Sequence, residues 1–379
     1  MLVVADQNIA EARNACSEFG DVRLMPGRAI TAEAVRDADL LLVRSVTRVD
    51  ANLLGAAQIK FVASATSGID HVDIDYLRQR GIGFAYAPGS NAQSVAEYVV
   101  CTVLVRMAAQ ERECKGLRAG IIGCGHVGSR VADMLAALGI ECLLNDPPLR
   151  EAGDNRSFVD LDAALAADIV TLHVPLIDAG QHPTTFLLNA ENLRQLRPDA
   201  LLINTARGDV IDEAALLQHL EAHAEMQVVI DCWHGEPNIA RKLLQRAVIA
   251  TAHIAGYSYD GKLRATQMIH AEACKYFSHP PQWQAPADTQ SGGYMVDTHI
   301  DDEALRRAVI ACYDVRADDA LLRFALSMGS KHMGPYFDGL RRDYRRRREF
   351  KSLLVTSHRR REKLANQLQA LGFQLRLLP

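Results

Sequence analysis

The chain has 379 residues, 49% of them hydrophobic and 23% charged, and a formal net charge of −4. Such a length holds two or three domains, the composition is that of a globular protein, and the mild acidity excludes a general affinity for nucleic acid or membrane surfaces. The start, MLVVADQNIAEA, lacks a basic n-region and a long apolar run, so it reads as a first strand entering a helix rather than a signal peptide.

Short apolar runs then alternate with helical patterns. LVVA at 2–5, LLLVR at 40–44 and FVASA at 61–65 read as buried parallel strands, with helices between them ending near Arg80. A long helix is predicted from Asn91 to Glu111. A second series of strands follows near 120–122, 141–145, 168–173, 200–204, 227–231 and 247–251. Gly261–Phe277 reads as a helix that crosses back to the first series. QAPADTQSGG, after Pro280 and Pro281, reads as a linker. The fold class expected is α/β: two Rossmann-like, doubly wound parallel-sheet domains plus a small C-terminal α+β domain. The boundaries expected are 1–95 with 257–285, 96–256, and 286–379.

The last segment carries 17 Lys+Arg against 12 Asp+Glu, densest at Arg341–Arg348. Three readings of that run stay open: a solvated helix face, binding of an anionic substrate across a subunit interface, and nucleic-acid binding. The eight cysteines are scattered with no metal-ligand spacing, so no metal is expected. Reduced, buried thiols suggest a cytoplasmic protein.

Gly123-Cys124-Gly125-His126-Val127-Gly128 lies between the strand AGII and the helix HVGSRVADMLAALG, the setting a dinucleotide loop needs. Gly123 permits the tight turn, Gly125 lets the backbone approach a pyrophosphate, and Gly128 allows close helix–strand contact. The following strand ends at Asp146, where a carboxylate accepts bonds from a ribose 2′-OH and repels a 2′-phosphate, favouring NAD over NADP. The plainer alternative is a helix cap before Pro147-Pro148. Arg207, Glu236 and His253 each follow a predicted strand, so they are expected to converge at the ligand-binding edge of one sheet. A cation, a carboxylate and an imidazole together suit a carboxylate-bearing alcohol that loses a proton.

The stretches Ala65-Thr66-Ser67-Gly68-Ile69-Asp70-His71-Val72-Asp73, the glycine-rich loop, His173-Val174-Pro175-Leu176, Asn204-Thr205-Ala206-Arg207-Gly208 and the Glu236/His253 pair resemble the D-isomer-specific 2-hydroxyacid dehydrogenases over roughly residues 1–280. The resemblance implies that Arg207 binds the substrate carboxylate and C2 oxygen, that His253 is the general base, and that Glu236 stabilises its protonated form. It implies NAD contacts at Gly123, Gly125, His126, Val127, Gly128, Asp146, Val174, Asp231 and Gly256. Thr66, Ser67 and Gly68 would receive the substrate. Within the family, Val43-Arg44-Ser45-Val46-Thr47, Asp146-Pro147-Pro148, His253-Ile254-Ala255-Gly256-Tyr257 and Tyr313–Ala320 imply the branch that oxidises 4-phospho-D-erythronate, with Arg44, Ser45 and Tyr257 at the phosphate end. Other members of the family acting on 3-phosphoglycerate, and a non-catalytic NAD-sensing corepressor, are the alternatives. Only 25 residues lie between Glu97 and Gly123, where many relatives carry a longer arm that pairs subunits. A homodimer formed through residues after 286 is therefore expected.

Overall fold

The computed structural model describes residues 1–287 and 292–379. Residues 288–291, inside the expected linker at 284–293, lie outside the described residues. The chain forms two compact units, Met1–Asn91 with Ser258–Asp288 and Ala92–Tyr257 with Thr289–Pro379.

In the first unit β1 (Leu2–Asp6), β2 (Asp21–Met25), β3 (Leu40–Val43), β4 (Phe61–Ser64) and β5 (Gly83–Tyr86) form a parallel sheet in the order β2-β1-β3-β4-β5. The central strands β3 and β4 are buried along their whole length, and their unbroken apolar runs announce them. The edge strands DVRLM and GFAY were not expected. They carry exposed residues, and so lack the continuous apolar signal. The helix Tyr259–Tyr276, capped by Ser258 Oγ accepting from Gly261 N at 2.8 Å, lays Ala265, Ile269 and Ala273 on this sheet's core.

The second unit holds β6 (Arg118–Ile122), β7 (Glu141–Asn145), β8 (Ile169–Leu172), β9 (Leu201–Asn204), β10 (Gln227–Ile230) and β11 (Ile249–Ala250). They form a parallel sheet in the order β11-β10-β9-β8-β6-β7. The order reverses between β6 and β8, the position where open α/β sheets bind ligands beyond their strand ends. The helix Ala92–Ala109 is long and apolar enough to cross a membrane, but 72% of it is buried inside this unit. Its Val95, Val99 and Val103 share one core with Met134 and Leu135 on one side and Ala304, Leu305 and Val309 on the other. Cover on both faces explains why it is apolar all round.

Residues after 292 add a three-stranded parallel sheet, β12 (Gly292–Met295), β13 (Leu353–His358) and β14 (Gln374–Leu378), in the order β12-β13-β14. Helices at Asp301–Cys312, Val315–Arg323, Ser330–Arg342 and Glu362–Leu371 accompany it. Their apolar faces are continuous with the dinucleotide sheet's core: Leu322, Met333 and Phe337 cluster with Trp233, Ile239 and Leu244.

Candidate active site

The loop after β6 is built around contacts that only glycine tolerates. Gly123 has φ 86°, and its N–H donates to Asn145 O at 2.8 Å. A Cβ on Gly128 would stand 1.8 Å from Gly123 O. The helix His126–Ala137 therefore starts directly against the turn, with Gly125 as its N-cap. Val174, in the loop after β8, touches the same turn: a Cβ on Gly123 would lie 2.8 Å from its Cγ1. Asp146 Oδ2 accepts from Cys124 N at 2.8 Å, and Oδ1 caps the next helix through Leu149 N at 3.1 Å. The capping role read from the sequence is thus present, and it fixes the carboxylate at the end of β7. Burial pushes the Cys124 thiol up to about 12, which keeps it inert.

Three loops carry the catalytic candidates. A Cβ on Gly208 would fall 2.0 Å from Trp233 C, so the β9 loop bearing Arg207 lies flush against the β10 loop bearing Glu236. Asn204 stitches the two together, its Nδ2 donating to Arg207 O at 3.0 Å and to Cys232 O at 3.2 Å. From the β11 loop, His253 Nδ1 meets Glu236 Oε1 at 3.1 Å and Oε2 at 2.9 Å. The two side chains are 29% and 18% exposed, sheltered yet reachable. Trp233 N donates to Glu236 Oε1 at 2.8 Å. Burial opposes ionisation of Glu236, but the His253 charge and hydrogen bond, Arg341 and the Trp233 N–H outweigh it and hold the carboxyl below its ordinary range.

His253 sits at φ 54°, a left-handed conformation unusual for a residue with a side chain. Asp231 sustains it. Its backbone carbonyl accepts from His253 N at 2.8 Å, Oδ1 from Ile254 N at 2.7 Å and Thr251 Oγ1 at 2.6 Å, and Oδ2 from Ala255 N at 3.0 Å. Asp231 is 1% exposed, and burial raises its carboxyl despite these bonds. Its evident work is to brace the histidine loop. Gly256 and Tyr257 continue that loop, with Tyr257 N donating to Ile254 O at 2.8 Å.

The candidate substrate residues of the first unit form their own group. Arg44, just after β3, donates Nε to the buried Asp6 Oδ2 at 3.0 Å; its terminal nitrogens have no hydrogen-bond partner among the described residues. Ser45 beside it is exposed. Thr66 Oγ1 donates to Gly68 O at 2.8 Å and meets Ser64 Oγ at 2.6 Å, and Ser67 Oγ accepts from Gly89 N at 3.0 Å, so the loop after β4 is held by its own side chains.

Residues 92–255 match the model of the D-isomer specific 2-hydroxyacid dehydrogenase, NAD binding domain. The full chain is 43% identical to an erythronate-4-phosphate dehydrogenase of Marinobacter nauticus over 100% of both chains. It is 42% identical to one of Chromohalobacter salexigens over 100% of this chain and 99% of the other. The chain belongs to the erythronate-4-phosphate dehydrogenase family. Solved structures share the fold of its dehydrogenase part. An NAD+-bound 3-phosphoglycerate dehydrogenase of Entamoeba histolytica has TM-score 0.63 and 22% identity, over 76% of this chain and 99% of the other. A D-lactate dehydrogenase of Aquifex aeolicus complexed with NAD and lactic acid has TM-score 0.61 and 22% identity, over 73% and 96%. Residues 290–372 match a domain of unknown function.

The family's cofactor is NAD, and the residues present fit it. A Cβ on Gly125 would meet nothing within 4 Å, so the protein itself does not demand glycine there, whereas close approach of a pyrophosphate to the helix N-terminus does. His173, at the switch point, contacts Thr171 Oγ1 at 3.0 Å and Thr205 Oγ1 at 3.2 Å, and burial pushes its pKa down to about 3, so it stays neutral.

One residue beside the reacting pair was not singled out from the sequence. Arg341, at the end of the helix Ser330–Arg342, places Nη1 3.8 Å from Glu236 Oε2 and donates Nη2 to Tyr257 OH at 3.1 Å. Arg347, in the same basic run, is also buried. A solvated helix face describes neither.

Proposed function

We propose that the chain oxidises 4-phospho-D-erythronate to 3-hydroxy-2-oxo-4-phosphooxybutanoate with reduction of NAD, a step of vitamin B6 biosynthesis. The observation that carries this reading is identity above 40% along the entire chain to proteins named for that substrate. Bound NAD, held at the Gly123–Gly128 loop, would supply the hydride acceptor for C2. Glu236 occupies Nδ1 of His253, which leaves Nε2 to accept the proton of the C2 hydroxyl, and the ionised Glu236 stabilises the imidazolium that results. Arg207 is the assigned partner of the substrate carboxylate. A guanidinium fork matches a planar carboxylate, and Gly208 holds the arginine against the Glu236 loop.

The phosphate is assigned to Arg44 and Ser45, with Tyr257 at the same end of the substrate and Thr66–Gly68 at the carboxylate. Asp6 supports the assignment of Arg44, because it fixes the guanidinium through Nε and leaves the other edge for an oxyanion. The cofactor assignments at Gly123, Gly125, His126, Val127, Gly128, Asp146, Val174, Asp231 and Gly256 stand on the family motif together with their grouping at the β6, β7, β8, β10 and β11 ends. The absence of a disulfide among the eight cysteines supports a cytoplasmic setting. We assign a homodimer to the full chain, with the C-terminal residues as the pairing element; light scattering should give twice the chain mass, and a monomer would refute it.

NADH absorbance tests the substrate. Erythronate should react with kcat/KM lower than its 4-phosphate by about 10–100-fold, and Arg44→Ala should remove most of that difference. Equal efficiency on both compounds would sink the phosphate assignment.

A further inference from the structure

The dehydrogenase motifs end before the C-terminal segment begins. The matched NAD-binding domain stops at residue 255, and solved dehydrogenases covered almost whole by this fold account for about three quarters of the chain. What remains matches a domain with no assigned function. Yet that segment reaches the reacting pair.

The helix Ser330–Arg342 is seated directly on the turn that carries Glu236. Met333 and Phe337 are buried in the core beneath Trp233 and Ile239. A Cβ on Gly334 would stand 2.5 Å from Asn238 Oδ1 and 3.5 Å from Pro237 Cγ, so the helix backbone nearly touches the turn. Arg241 ties the start of this helix down, donating to Leu326 O at 2.5 Å and Met328 O at 3.0 Å. Two turns beyond Gly334 the helix delivers Arg341. Its side chain is 12% exposed, and its Nε has no hydrogen-bond partner among the described residues. The fold thus holds a buried guanidinium here without satisfying it fully, which packing alone does not require.

The geometry assigns Arg341 as a positioning residue for the oxidation proposed above. It shares Glu236 Oε2 with His253, and it donates to the Tyr257 hydroxyl at 3.1 Å. Both side chains address one oxygen, His253 Nδ1 at 2.9 Å and Arg341 Nη1 at 3.8 Å. The guanidinium also lies 5.7 Å from the centre of the Tyr257 ring. The charged and titratable groups around this oxygen are His253 from the β11 loop, Tyr257 beyond it, Asp231, Cys232 and Arg207 from the β10 and β9 loops, and Arg341 from the C-terminal helix. Arg341 brings a positive charge that does not titrate near neutrality, so it divides the carboxylate's field and keeps the imidazolium from being over-stabilised. This inference rests on the His253–Glu236 reading, and the domain of unknown function gains a role as part of the catalytic framework.

The test compares wild type with Arg341→Met, which keeps bulk without charge, and Arg341→Lys, which keeps charge without the fork. In Arg341→Met the acid limb of the kcat/KM profile for 4-phosphoerythronate oxidation should move to higher pH by half a unit or more, and kcat should fall at least 10-fold. Arg341→Lys should restore the limb but not the full KM, because a point charge cannot also hold the Tyr257 hydroxyl. A purely structural role would lower the amount of folded enzyme and leave the limb in place; that result overturns the proposal. The histidine ring resonances of the NAD-bound protein, with His253 identified by its loss in His253→Asn, give a second readout free of substrate. An upward move of the His253 titration midpoint in Arg341→Met supports the proposal even if 4-phosphoerythronate is not oxidised by wild type, an outcome that would fault the substrate alone. An unmoved midpoint overturns it. If Arg341→Met does not fold, the Lys variant decides: a limb displaced as far as one unit despite the retained charge would reject the electrostatic role.

Discussion

Arg341 and Arg347 stand in one basic run, the first partly and the second fully buried, and they do opposite kinds of work. Arg341 ends a helix and faces side chains, Glu236 and Tyr257. Arg347 faces two backbone carbonyls and the Glu97 carboxyl. Its Nη1 donates to Ala255 O at 3.1 Å and its Nη2 to Ser94 O at 2.8 Å, and its guanidinium lies 3.6 Å from the centre of the Tyr313 ring. Ser94 Oγ also donates to Ala255 O, at 2.9 Å. The carbonyl two residues past His253 is therefore clamped from one side, while Asp231 clamps the neighbouring N–H groups from the other. The comparison teaches that a charge run carries no single function. Arg341 should be read out in rates and pH profiles, Arg347 in stability.

The scale for rate effects is set by His253 itself. His253→Ala should lower kcat by about 10²–10⁴-fold while leaving NAD affinity near wild type, measured by NADH absorbance and cofactor titration. Turnover close to normal would remove the base from the proposal, and with it the contrast between the two arginines.

Next in size is Arg347→Met. Deleting the buried guanidinium removes its bonds to the Ala255 and Ser94 carbonyls and its charge beside Glu97, at a cost of about 3–5 kcal/mol. Denaturant unfolding should show that loss, while the fraction still folded keeps a wild-type acid limb. A stable Arg347→Met enzyme with a displaced limb would reverse the roles given to the two residues.

The same contrast explains what was legible in the sequence. A strand such as LLLV announces itself because a parallel strand buried on both faces is apolar at every position. Arg207, Glu236 and His253 are legible because polar residues at the ends of such strands fall together at one edge of the sheet. An edge strand such as GFAY escaped because only one of its four residues is fully buried, which breaks the continuous apolar signal. Arg341 escaped for a different reason. Its partner Tyr257 lies 84 residues earlier, and no local period connects a helix end to a loop that distant. Asp231, expected at the cofactor, also accepts from Ile254 N, Ala255 N and Thr251 Oγ1, a bracing role that was not expected. A carboxylate's backbone partners leave no trace in the sequence. Tyr98 OH, which contacts Thr251 Oγ1 at 2.8 Å, extends that brace into the helix Ala92–Ala109 and was equally hidden.

The smallest effect concerns the carboxylate facing Arg347. Glu97 is fully buried; its Oε1 accepts from Gln93 Nε2 and Phe350 N, both at 2.8 Å, while Oε2 lies 3.8 Å from Arg347 Nη2 with no hydrogen bond among the described residues. Burial raises its pKa to about 8, helped by the negative Glu349 and opposed by Arg347. The ordinary value is 4.5, so the folded state holds this proton more tightly than the unfolded chain does. The stability it contributes is then complete below pH 4.5 and is lost as pH rises through 8. The melting temperature should therefore decline between pH 6 and pH 8.5, and Glu97→Gln, which keeps the Oε1 acceptor and cannot ionise, should flatten that decline. Arg347 sets the range of the effect, because its charge favours ionised Glu97; in Arg347→Met the decline should extend to higher pH. An unchanged slope in both variants would mean that Glu97 keeps its charge throughout, and that Arg347 and Glu97 form a permanent ion pair rather than a guanidinium facing a carboxyl that gains and loses a proton.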